Sequence, residues 1–340
     1  AADHAPQFDV TIVTEQGGRR RLRSGKTALI VVASGDASAQ LAALATRAGD
    51  VSQWLVTMTA ELCDCFASKR DGVAHLLGAV EAVAGHTPVA VWSVDGRFVS
   101  LADARRHPLR VAAANWHALA TFAARHVGDG LSLMIDSGST TTDIIRLRDG
   151  YVDARGLTDM DRLASGELVY QGVRRTNLAA VAQNIALRGR TFGIMAEWFA
   201  DAGDVYLLTG DVPAEADERD TADGRPRTRS DAARRVARTI GADLDMLSVE
   251  DAVALAGVFA ERMTERVAAA VGAVVGHDRP RRVLVSGSGE HLACAAAAVA
   301  CPGVPVVRLA ERIGDSASTA ACAYAMLELW NAPCTHDARR

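Results

Sequence analysis

Aromatic residues, excess charge of either sign and long apolar runs are all scarce in this sequence of 340 residues. Phe, Trp and Tyr make up 5% of the chain, and the net charge is −4. This charge balance argues against a general nucleic-acid-binding protein, because such a protein needs a basic face for phosphates. No apolar run approaches the ~18 residues of a bilayer-crossing helix. We therefore expect neither a nucleic-acid partner nor a membrane span.

Metal-ligand spacing is also absent from the six cysteines. Cys63 and Cys65 are neighbours, but no second pair completes a ligand set, so we expect free thiols in a reducing cytoplasm. The stretch "RRRLRSGKTALIVVASGDASAQ" (residues 19–40) has the basic start and short apolar run of a signal peptide. It follows a predicted strand and turn (Phe8 to Gly18), so we interpret it as a surface hairpin that leads into a buried strand.

Short β-rich runs alternate with alanine-rich helical runs, which indicates an α/β fold. Helices are predicted over Gly72 to Ala84 and Leu109 to Val127. The clearest helix begins near Ser248, a favourable N-cap that is followed by an apolar stripe at three- and four-residue steps. The predicted strands are "FDVTIV", "ALIVVA", "WLVTMT", "VAVWSV", "LSLMID", "VYLLTG" and "RVLVSG".

The stretch "MIDSGSTTTDIIRLRDG" (Met134 to Gly150) places many small polar groups behind an apolar strand. Gly138 lets the backbone turn sharply, so that successive N–H groups point into one concavity and bind an anion. Asp136 and Asp143 would repel phosphate, so they fit only as metal ligands or bases. The alternative is a tight turn that Asp and Ser merely cap. The predicted phosphate cradle consists of Gly138, Ser139, Thr140 and Thr141, and Asp136 belongs to the same predicted phosphate site as a metal-holding carboxylate.

Two further stretches carry candidate chemistry. In "VLVSGSGEHLACAAAA", Gly287 and Gly289 stand between a strand and a helix, where a ligand can approach the helix N-terminus. This stretch lacks the full dinucleotide-binding fingerprint. The most polar region, "DVPAEADERDTADGRPRTRSDAARR", is either a solvated loop or an active-site loop.

Several of these motifs carry a family resemblance. "DSGSTTTD" resembles the second phosphate motif of the sugar kinase/Hsp70/actin superfamily, and "VSGSGE" resembles its later glycine motif. "VTMTAELCDCF", "VDGRFVS", "AAANW", "SGELVYQGVRRT" and "DTADGRPRTR" resemble the hydantoinase/oxoprolinase-like proteins of the tetrahydromethanopterin-linked one-carbon pathway. The resemblance covers about Gln53 to Leu329. The characterised archaeal members are methanofuran-biosynthesis synthases, which join an aminomethylfuran diphosphate to the phenol of γ-glutamyltyramine.

The resemblance implies a two-lobed, ribonuclease H-like α/β fold with an interlobe cleft. We expect residues 1–128 to form the first lobe and residues 129–340 the second, with a C-terminal helix packing back on the first. The family begins with an Asp-x-Gly-Gly turn, which does not occur before "FDVTIVTEQGG", so the first phosphate motif is expected to be atypical or incomplete. Two positions also depart from the family pattern: Ala60 replaces a glycine, and Ser137 replaces an apolar residue.

The resemblance further implies roles for charged residues. The phenol, with a pKa of about 10, needs a base, and the candidates are Asp143, Glu61 and Glu167. Forked guanidinium groups suit the diphosphate, and the candidates are Arg174, Arg175, Arg225 and Arg227, with Arg229 nearby. Asp220 and Asp223 are expected to hold Mg²⁺ together with Asp136 or Asp143. For each residue alone, the alternative is a surface ion pair.

We therefore expect a cytoplasmic, diphosphate-releasing transferase whose partners are a small-molecule diphosphate and a phenolic substrate. A homo-oligomer is compatible with the sequence. Two alternatives remain at this stage. One is an ATP-dependent kinase or hydrolase of the same superfamily, for which ATP would be the ligand, and the other is a non-catalytic member of the one-carbon pathway.

Overall fold

The computed structural model describes residues 11–13, 28–30, 41–42, 46, 52–59, 61–318 and 320–332. The chain divides into two compact units. The first comprises the described residues of Ala1–Gly130, Leu147–Arg162 and Ala310–Arg340, and the second comprises Leu131–Arg146 and Leu163–Leu309. Within the described ranges, no helix combines the length and apolar character needed to cross a membrane.

Strands and helices alternate along most of the chain. The strands are β1 (Thr11–Val13), β2 (Ala28–Ile30), β3 (Trp54–Val56), β4 (Val89–Ser93), β5 (Arg97–Ser100), β6 (Leu131–Ser137), β7 (Thr142–Arg148), β8 (Tyr151–Val152), β9 (Leu168–Val169), β10 (Asn184–Leu187), β11 (Arg190–Gly193), β12 (Val283–Ser286) and β13 (Val306–Arg308). The helices are α1 (Lys69–Ala84), α2 (Leu101–Arg106), α3 (Pro108–Val111), α4 (Asn115–Ala124), α5 (Asp159–Ser165), α6 (Ala202–Thr209), α7 (Arg229–Arg238), α8 (Val249–Val275), α9 (Glu290–Ala300), α10 (Ala310–Ile313), α11 (Asp315–Ser318) and α12 (Ala321–Asn331).

The first unit is built on two small sheets. β1 pairs antiparallel with β2, and a second sheet has the order β3-β4-β5, in which β3 and β4 are parallel and β4 and β5 antiparallel. Helix α1 begins at the N-cap Ser68, whose hydroxyl accepts from the N–H of Asp71, and it ends at Gly85 with φ +57°. Its buried side chains Leu76 and Val80 join the core formed with Trp54. Helix α12 packs against α4 within this unit.

The second unit is organised by a mixed sheet. β6 lies parallel to β12, β12 lies parallel to β13, and β9 pairs antiparallel with β7. The end of β7 continues into the first unit, where Leu147 pairs with Val152 of β8. β10 and β11 form a separate antiparallel pair.

Helix α8 supplies the centre of the second core. Its N-cap Ser248 forms a capping box with Asp251, so that two otherwise unpaired backbone donors are satisfied. Along its apolar stripe, Phe259 and Met263 are fully buried and belong to the cluster that includes Leu133 of β6. Fully burying a side chain of this size contributes about 1.5–3 kcal/mol, so the packing of α8 against β6 stabilises the sheet from which the polar turns extend.

The structure confirms the α/β class and corrects two element predictions. "VYLLTG" forms part of α6 rather than a strand, because Asp201 caps the helix in a capping box with Asp204 and the helix is buried on all sides. A short apolar run has no periodicity that separates a buried helix from a buried strand. The helix predicted over Leu109 to Val127 is divided into α3 and α4 at Ala113, whose φ is +47°.

The division into units also differs in detail from the predicted lobes. Leu147–Arg162, within the range predicted for the second lobe, belongs to the first unit. The described part of Ala310–Arg340, which contains the C-terminal helix expected to pack back on the first lobe, also belongs to the first unit. The glycine turn predicted between β1 and β2 lies outside the described residues, as do Ala60 and Cys334.

Gly287→Ala is expected to lower the free energy of unfolding by about 3 kcal/mol, because the site combines left-handed backbone with close packing. Gly287 has φ +90°, and an added Cβ would lie 2.2 Å from the carbonyl oxygen of Ser137. Urea unfolding followed by circular dichroism measures the change. The matched control is Gly257→Ala in α8, where nothing lies within 4 Å of an added Cβ and where alanine should stabilise by roughly 0.5–1 kcal/mol. Equal stability of the two variants would contradict the prediction.

Candidate functional site

The hydroxyl-rich turn between β6 and β7 is held on one side by backbone hydrogen bonds from the segment that follows β9. The N–H of Gly138 closes the turn on the carbonyl oxygen of Thr141 at 2.8 Å. The N–H of Val173 donates to the carbonyl oxygen of Gly138 at 3.0 Å, and those of Arg174 and Arg175 donate to that of Ser139 at 3.0 and 2.9 Å. The C=O and N–H of a trans peptide point in opposite directions.

The N–H groups of Ser139 and Thr140 therefore face away from the segment that holds the turn. Neither has an acceptor among the described residues. Their side-chain hydroxyls lie 3.4 Å apart and are half-buried. Adjacent free N–H groups with hydroxyls beside them form an anion-binding concavity, so the geometry is compatible with the predicted phosphate cradle, which stays a prediction.

Three glycines allow the backbone segments to meet at the end of β6. An added Cβ at Gly172 would lie 2.4 Å from the carbonyl oxygen of Gly138, and one at Gly289 would lie 2.5 Å from the Oγ of Ser137. The N–H of Gly289 donates to the carbonyl oxygen of Ser137 at 2.8 Å. The two glycine motifs thus come together at the end of β6, where Gly287 and Gly289 pack closely against Ser137. Their predicted role in phosphate binding stays a prediction. Gly172 was missed by sequence reasoning, although its place in "YQGVRR" after a short buried strand was a usable signal.

Asp136 and Asp143 stand on either side of the turn. The Ser286 hydroxyl donates to Oδ1 of Asp136 at 2.6 Å, because the parallel register of β6 and β12 places these residues opposite each other. Burial, reinforced by the negative charge of Asp143, raises the pKa of Asp136 to about 6. Asp143 is itself buried. Two carboxylates that share a poorly solvated site cannot both ionise readily, so Asp136 is poised to hold or release a proton near neutral pH.

The remaining base candidates lie in two places. Glu167 is fully buried next to the start of β9, where the N–H of Ile144 donates to its carbonyl oxygen at 2.8 Å and the Ser165 hydroxyl donates to its Oε2 at 2.8 Å. Glu61 belongs to the first unit. It is buried with Nζ of Lys69 3.8 Å from its Oε1, and burial raises the pKa of its carboxyl group. Asp143 and Glu167 are therefore close in the sheet, and Glu61 is part of a separate cluster.

A cavity of about 250 Å³ opens in the second unit beside the turn. Its wall combines charged, amide and indole side chains. The lining residues are Arg174, Arg175, Asn177, Trp198, Asp201, Asp220 and Arg227.

Two of the predicted phosphate-binding arginines are neutralised by internal carboxylates. Arg227 is 2% exposed and forms a two-pronged ion pair with Asp201, at 2.7 and 3.1 Å. Arg174 pairs in the same way with Glu215, at 3.2 and 2.9 Å, and also with Glu218 at 2.5 Å. Arg227 ties the polar loop to Asp201, the N-cap of α6, as expected for a buried arginine, which requires carboxylate partners. Arg174 ties the same loop to the segment that follows β9.

The predicted metal ligands are not assembled. Asp223 accepts from Arg235 at 3.0 Å and from Arg238 at 3.4 Å, and Nε of Arg225 lies 4.0 Å from it. Asp220 lines the cavity, whereas Asp136 is bound to Ser286. Over the ranges that the structure describes, no group of three or more His, Cys, Asp or Glu side chains is arranged to hold a metal ion. The described part of the chain does not gather Asp136, Asp220 and Asp223 into one site, because arginines pair with the carboxylate of Asp223. A metal-binding role for these residues stays a prediction.

Sequence reasoning missed the buried carboxylates that organise this region. Asp204 is fully buried and accepts from Arg235 at 2.9 and 2.6 Å. The spacing of Asp201 and Asp204 ahead of an apolar run is a capping-box signal, which was overlooked because that run was interpreted as a strand. Arg229, adjacent to the predicted set, donates to the carbonyl oxygen of Leu208 at 3.0 Å.

Arg227→Ala is expected to lower the free energy of unfolding by about 3–5 kcal/mol, because it leaves buried carboxylates without their counter-charge. Arg175→Ala, which removes an exposed guanidinium from the same cavity wall, should change stability by less than about 0.5 kcal/mol. Urea denaturation of both variants measures the difference. Similar losses for the two arginines would show that burial of Arg227 does not carry the predicted cost.

The free energy of unfolding of the Asp136→Asn variant is expected to increase relative to that of the wild type as pH rises. The pKa of Asp136 is raised from 3.8 to about 6 in the folded state, so between these values the unfolded chain ionises first and the wild-type fold is progressively disfavoured. The advantage of the variant should be absent below pH 4, grow up to about pH 6 and then stay constant at no more than about 3 kcal/mol. Urea unfolding from pH 4 to 8, with exposed Asp217→Asn as control, tests this. A pH-independent difference would refute it.

Comparison with known proteins places this chain in a family. The family model described as hydantoinase/oxoprolinase matches residues 54–329. The (4-{4-[2-(gamma-L-glutamylamino)ethyl]phenoxymethyl}furan-2-yl)methanamine synthase of Methanocaldococcus jannaschii is 31% identical over 274 residues, which is 81% of this chain and 81% of that protein. The synthase of the same name from Methanococcus vannielii is 28% identical over 173 residues, 51% of this chain and 77% of its own length.

Solved structures are more distant. A nucleotide-free acetone carboxylase is 12% identical with a TM-score of 0.45, covering 86% of this chain and 49% of its own, so this chain spans about half its length. A ROK family glucokinase from Streptomyces griseus, in complex with glucose and AMPPNP, is 14% identical with a TM-score of 0.43, covering 95% of this chain and 99% of its own. With TM-scores below 0.5, neither likeness supports a conclusion about fold or activity.

The family match and the 31% identical relative extend over both compact units and over the turn and cavity described above. The chain belongs to the hydantoinase/oxoprolinase family.

Proposed function

We propose that this protein condenses a furfuryl-type diphosphate, an aminomethylfuran diphosphate, with the phenol of a tyramine- or tyrosine-derived substrate and releases diphosphate in methanofuran biosynthesis. The observation that carries the proposal is the 31% identity across 81% of both chains to the synthase of M. jannaschii. That protein's name describes a phenoxymethyl-furan, in which a phenol oxygen is joined to a furan-bound methylene. It also describes a γ-glutamylamino group.

The reaction exchanges one carbon–oxygen bond for another. The bond from the furan-bound carbon to diphosphate breaks, a bond from that carbon to the phenol oxygen forms, and the phenol proton passes to a base. The furan ring stabilises positive charge on the carbon as diphosphate departs. The N–H groups and hydroxyls of Ser139 and Thr140 would receive the growing negative charge of the leaving diphosphate.

Asp136 is the base that the local electrostatics favour. The two carboxylates beside the turn repel diphosphate, so they fit proton transfer better than phosphate binding. A base with a pKa of about 6 is ionised at neutral pH and accepts a proton more readily than an ordinary carboxylate. Asp143 contributes the negative charge that helps to raise this pKa.

Mg²⁺ enters the proposal only as the counter-ion of the diphosphate. The residues predicted to bind it do not form a three-ligand site in the described part of the chain. Mg²⁺ commonly binds through substrate phosphates with few protein ligands, so the assay supplies it together with the substrate.

Diphosphate release tests the proposal. Purified protein with Mg²⁺, the aminomethylfuran diphosphate and either phenol should release diphosphate in a phenol-dependent manner. Asp136→Ala should lower the rate by about 10²–10⁴-fold, the usual contribution of a general base. Arg234→Ala serves as control, since its side chain makes an exposed ion pair with Asp231 on α7.

Other outcomes would replace the proposal. Phenol-independent hydrolysis of ATP by the folded protein would favour the ATP-dependent alternative. No reaction with either phenol or with ATP, from protein that unfolds cooperatively, would favour the non-catalytic alternative.

A further inference from the structure

We infer that the arginine-lined cavity binds an α-amino-acid head group, an ammonium and a carboxylate on one carbon, at the far end of the phenolic substrate. Arg175 receives the carboxylate and Asp220 receives the ammonium. The inference rests on the proposed function, in which both phenolic substrates carry such a group: a γ-linked glutamyl group keeps its α-ammonium and α-carboxylate, and tyrosine has its own.

Unequal pairing of the charges in the cavity wall is the first observation. Arg174 and Arg227 are held by carboxylates, as described above. The guanidinium of Arg175 and the carboxylate of Asp220 make no hydrogen bond or ion pair with any described residue. Within the described part of the chain, the cavity wall therefore carries one unpaired charge of each sign.

The balance of charge argues against a phosphate ligand here. Three arginines line the cavity, and they face Asp201 and Asp220 in its wall together with Glu215 and Glu218 behind Arg174. Among the described residues, a diphosphate would meet one unpaired guanidinium, that of Arg175, and the repulsion of Asp220. A zwitterion satisfies both free charges, and charge-assisted hydrogen bonds of this kind are the strong ones.

Backbone contacts hold the acidic residue in place. The N–H of Asp220 donates to Oε1 of Glu218 at 2.6 Å, and its carbonyl oxygen accepts from Nη2 of Arg227 at 2.9 Å. Its carboxylate therefore projects from a fixed backbone. Pre-organised charges lose less entropy when a ligand binds.

The other lining residues suit the same ligand. Oδ1 of Asn177 accepts from the N–H of Ala179 at 3.0 Å, which leaves its NH₂ group as a donor for a carboxylate. The indole of Trp198 is 41% exposed and offers an apolar wall for methylene groups. The volume of about 250 Å³ suits an amino-acid-sized group, since complete drug-sized ligands occupy about 300–1,000 Å³.

The cavity is coupled to the phosphate turn by a short segment. The backbone N–H groups of Arg174 and Arg175 hold the turn through the carbonyl oxygen of Ser139, while their side chains line the cavity. A substrate that is anchored by its head group is therefore held at a fixed position relative to the turn proposed to receive diphosphate. Such positioning lowers the entropic part of the barrier.

Binding measurements with three ligands test the inference. γ-Glutamyltyramine, its analogue without the α-ammonium (glutaryltyramine) and its analogue without the α-carboxylate (4-aminobutyryltyramine) are titrated by calorimetry without diphosphate substrate. Each deletion should weaken binding to the wild type about tenfold or more, as expected for one charged hydrogen-bonding group. L-Tyrosine, titrated in parallel, identifies which phenolic substrate supplies the head group.

The variants assign each charge to its residue. Arg175→Ala should bind γ-glutamyltyramine and the carboxylate-free analogue equally, with Arg175→Lys intermediate, whereas Asp220→Asn should lose only the preference for the ammonium. Arg219→Ala and Asp217→Asn, which change exposed charges of the same loop outside the cavity wall, should keep both preferences. The inference is overturned if the control variants lose the preference for the charged head group or if the cavity variants keep it. It is also overturned if folded wild-type protein binds neither phenol.

The outcome separates this inference from the proposed function. Diphosphate release without charge discrimination would leave the synthase in place and refute the head-group site. Discrimination without diphosphate release would retain the head-group site and refute the synthase.

Discussion

Close backbone contact at the end of β6 is the constraint on which the candidate site depends. The carbonyl oxygen and hydroxyl of Ser137 approach Gly287 and Gly289 so closely that no Cβ fits, and Gly172 meets the following turn in the same way. Three chain segments that are far apart in sequence can therefore converge on one strand end. Their convergence sets the direction of the turn's free N–H groups and places the cavity beside it.

Buried ion pairs hold the loops around that strand end. Asp201, Arg227, Asp204 and Arg235 form a connected set with almost no exposure, and each charge has a partner of opposite sign. Removing charges from water costs several kcal/mol per ion, and only good pairing recovers it. The network is a weak contributor to net stability but a strong determinant of loop position, since any other arrangement would leave a buried charge unpaired.

Pairing also changes what the arginines of this region can do. Arg174 and Arg227 belong to motifs that suggest phosphate binding, yet their guanidinium groups already hold carboxylates. Arg175, next in sequence to Arg174, keeps its charge available because its side chain is exposed. Neighbouring residues of one type thus have different functions, which depend on the carboxylates that the fold brings to each.

Local chemistry made much of the architecture predictable. The apolar stripe and N-cap of α8, the strand before "DSGSTTTD" and the family motifs all depend on residues close in sequence, whose periodicity and capping are local properties. α6 was predicted wrongly because a short apolar run buried on every side has no period to measure. The pairing of Asp223 with Arg235 and Arg238 could not be predicted, because long-range packing selects the partner of a carboxylate.

The α/β class, the position of the hydroxyl-rich turn and the family are readable from the amino-acid sequence, because they depend on local pattern and motif order. The packing of Gly172 between the two glycine motifs and the internal pairing of Arg227 appear only in the folded chain. The same holds for Arg175 and Asp220, which line one cavity without a partner among the described residues. Ion pairing and close backbone approach are contacts between residues distant in the chain, so they exist only once the chain has folded.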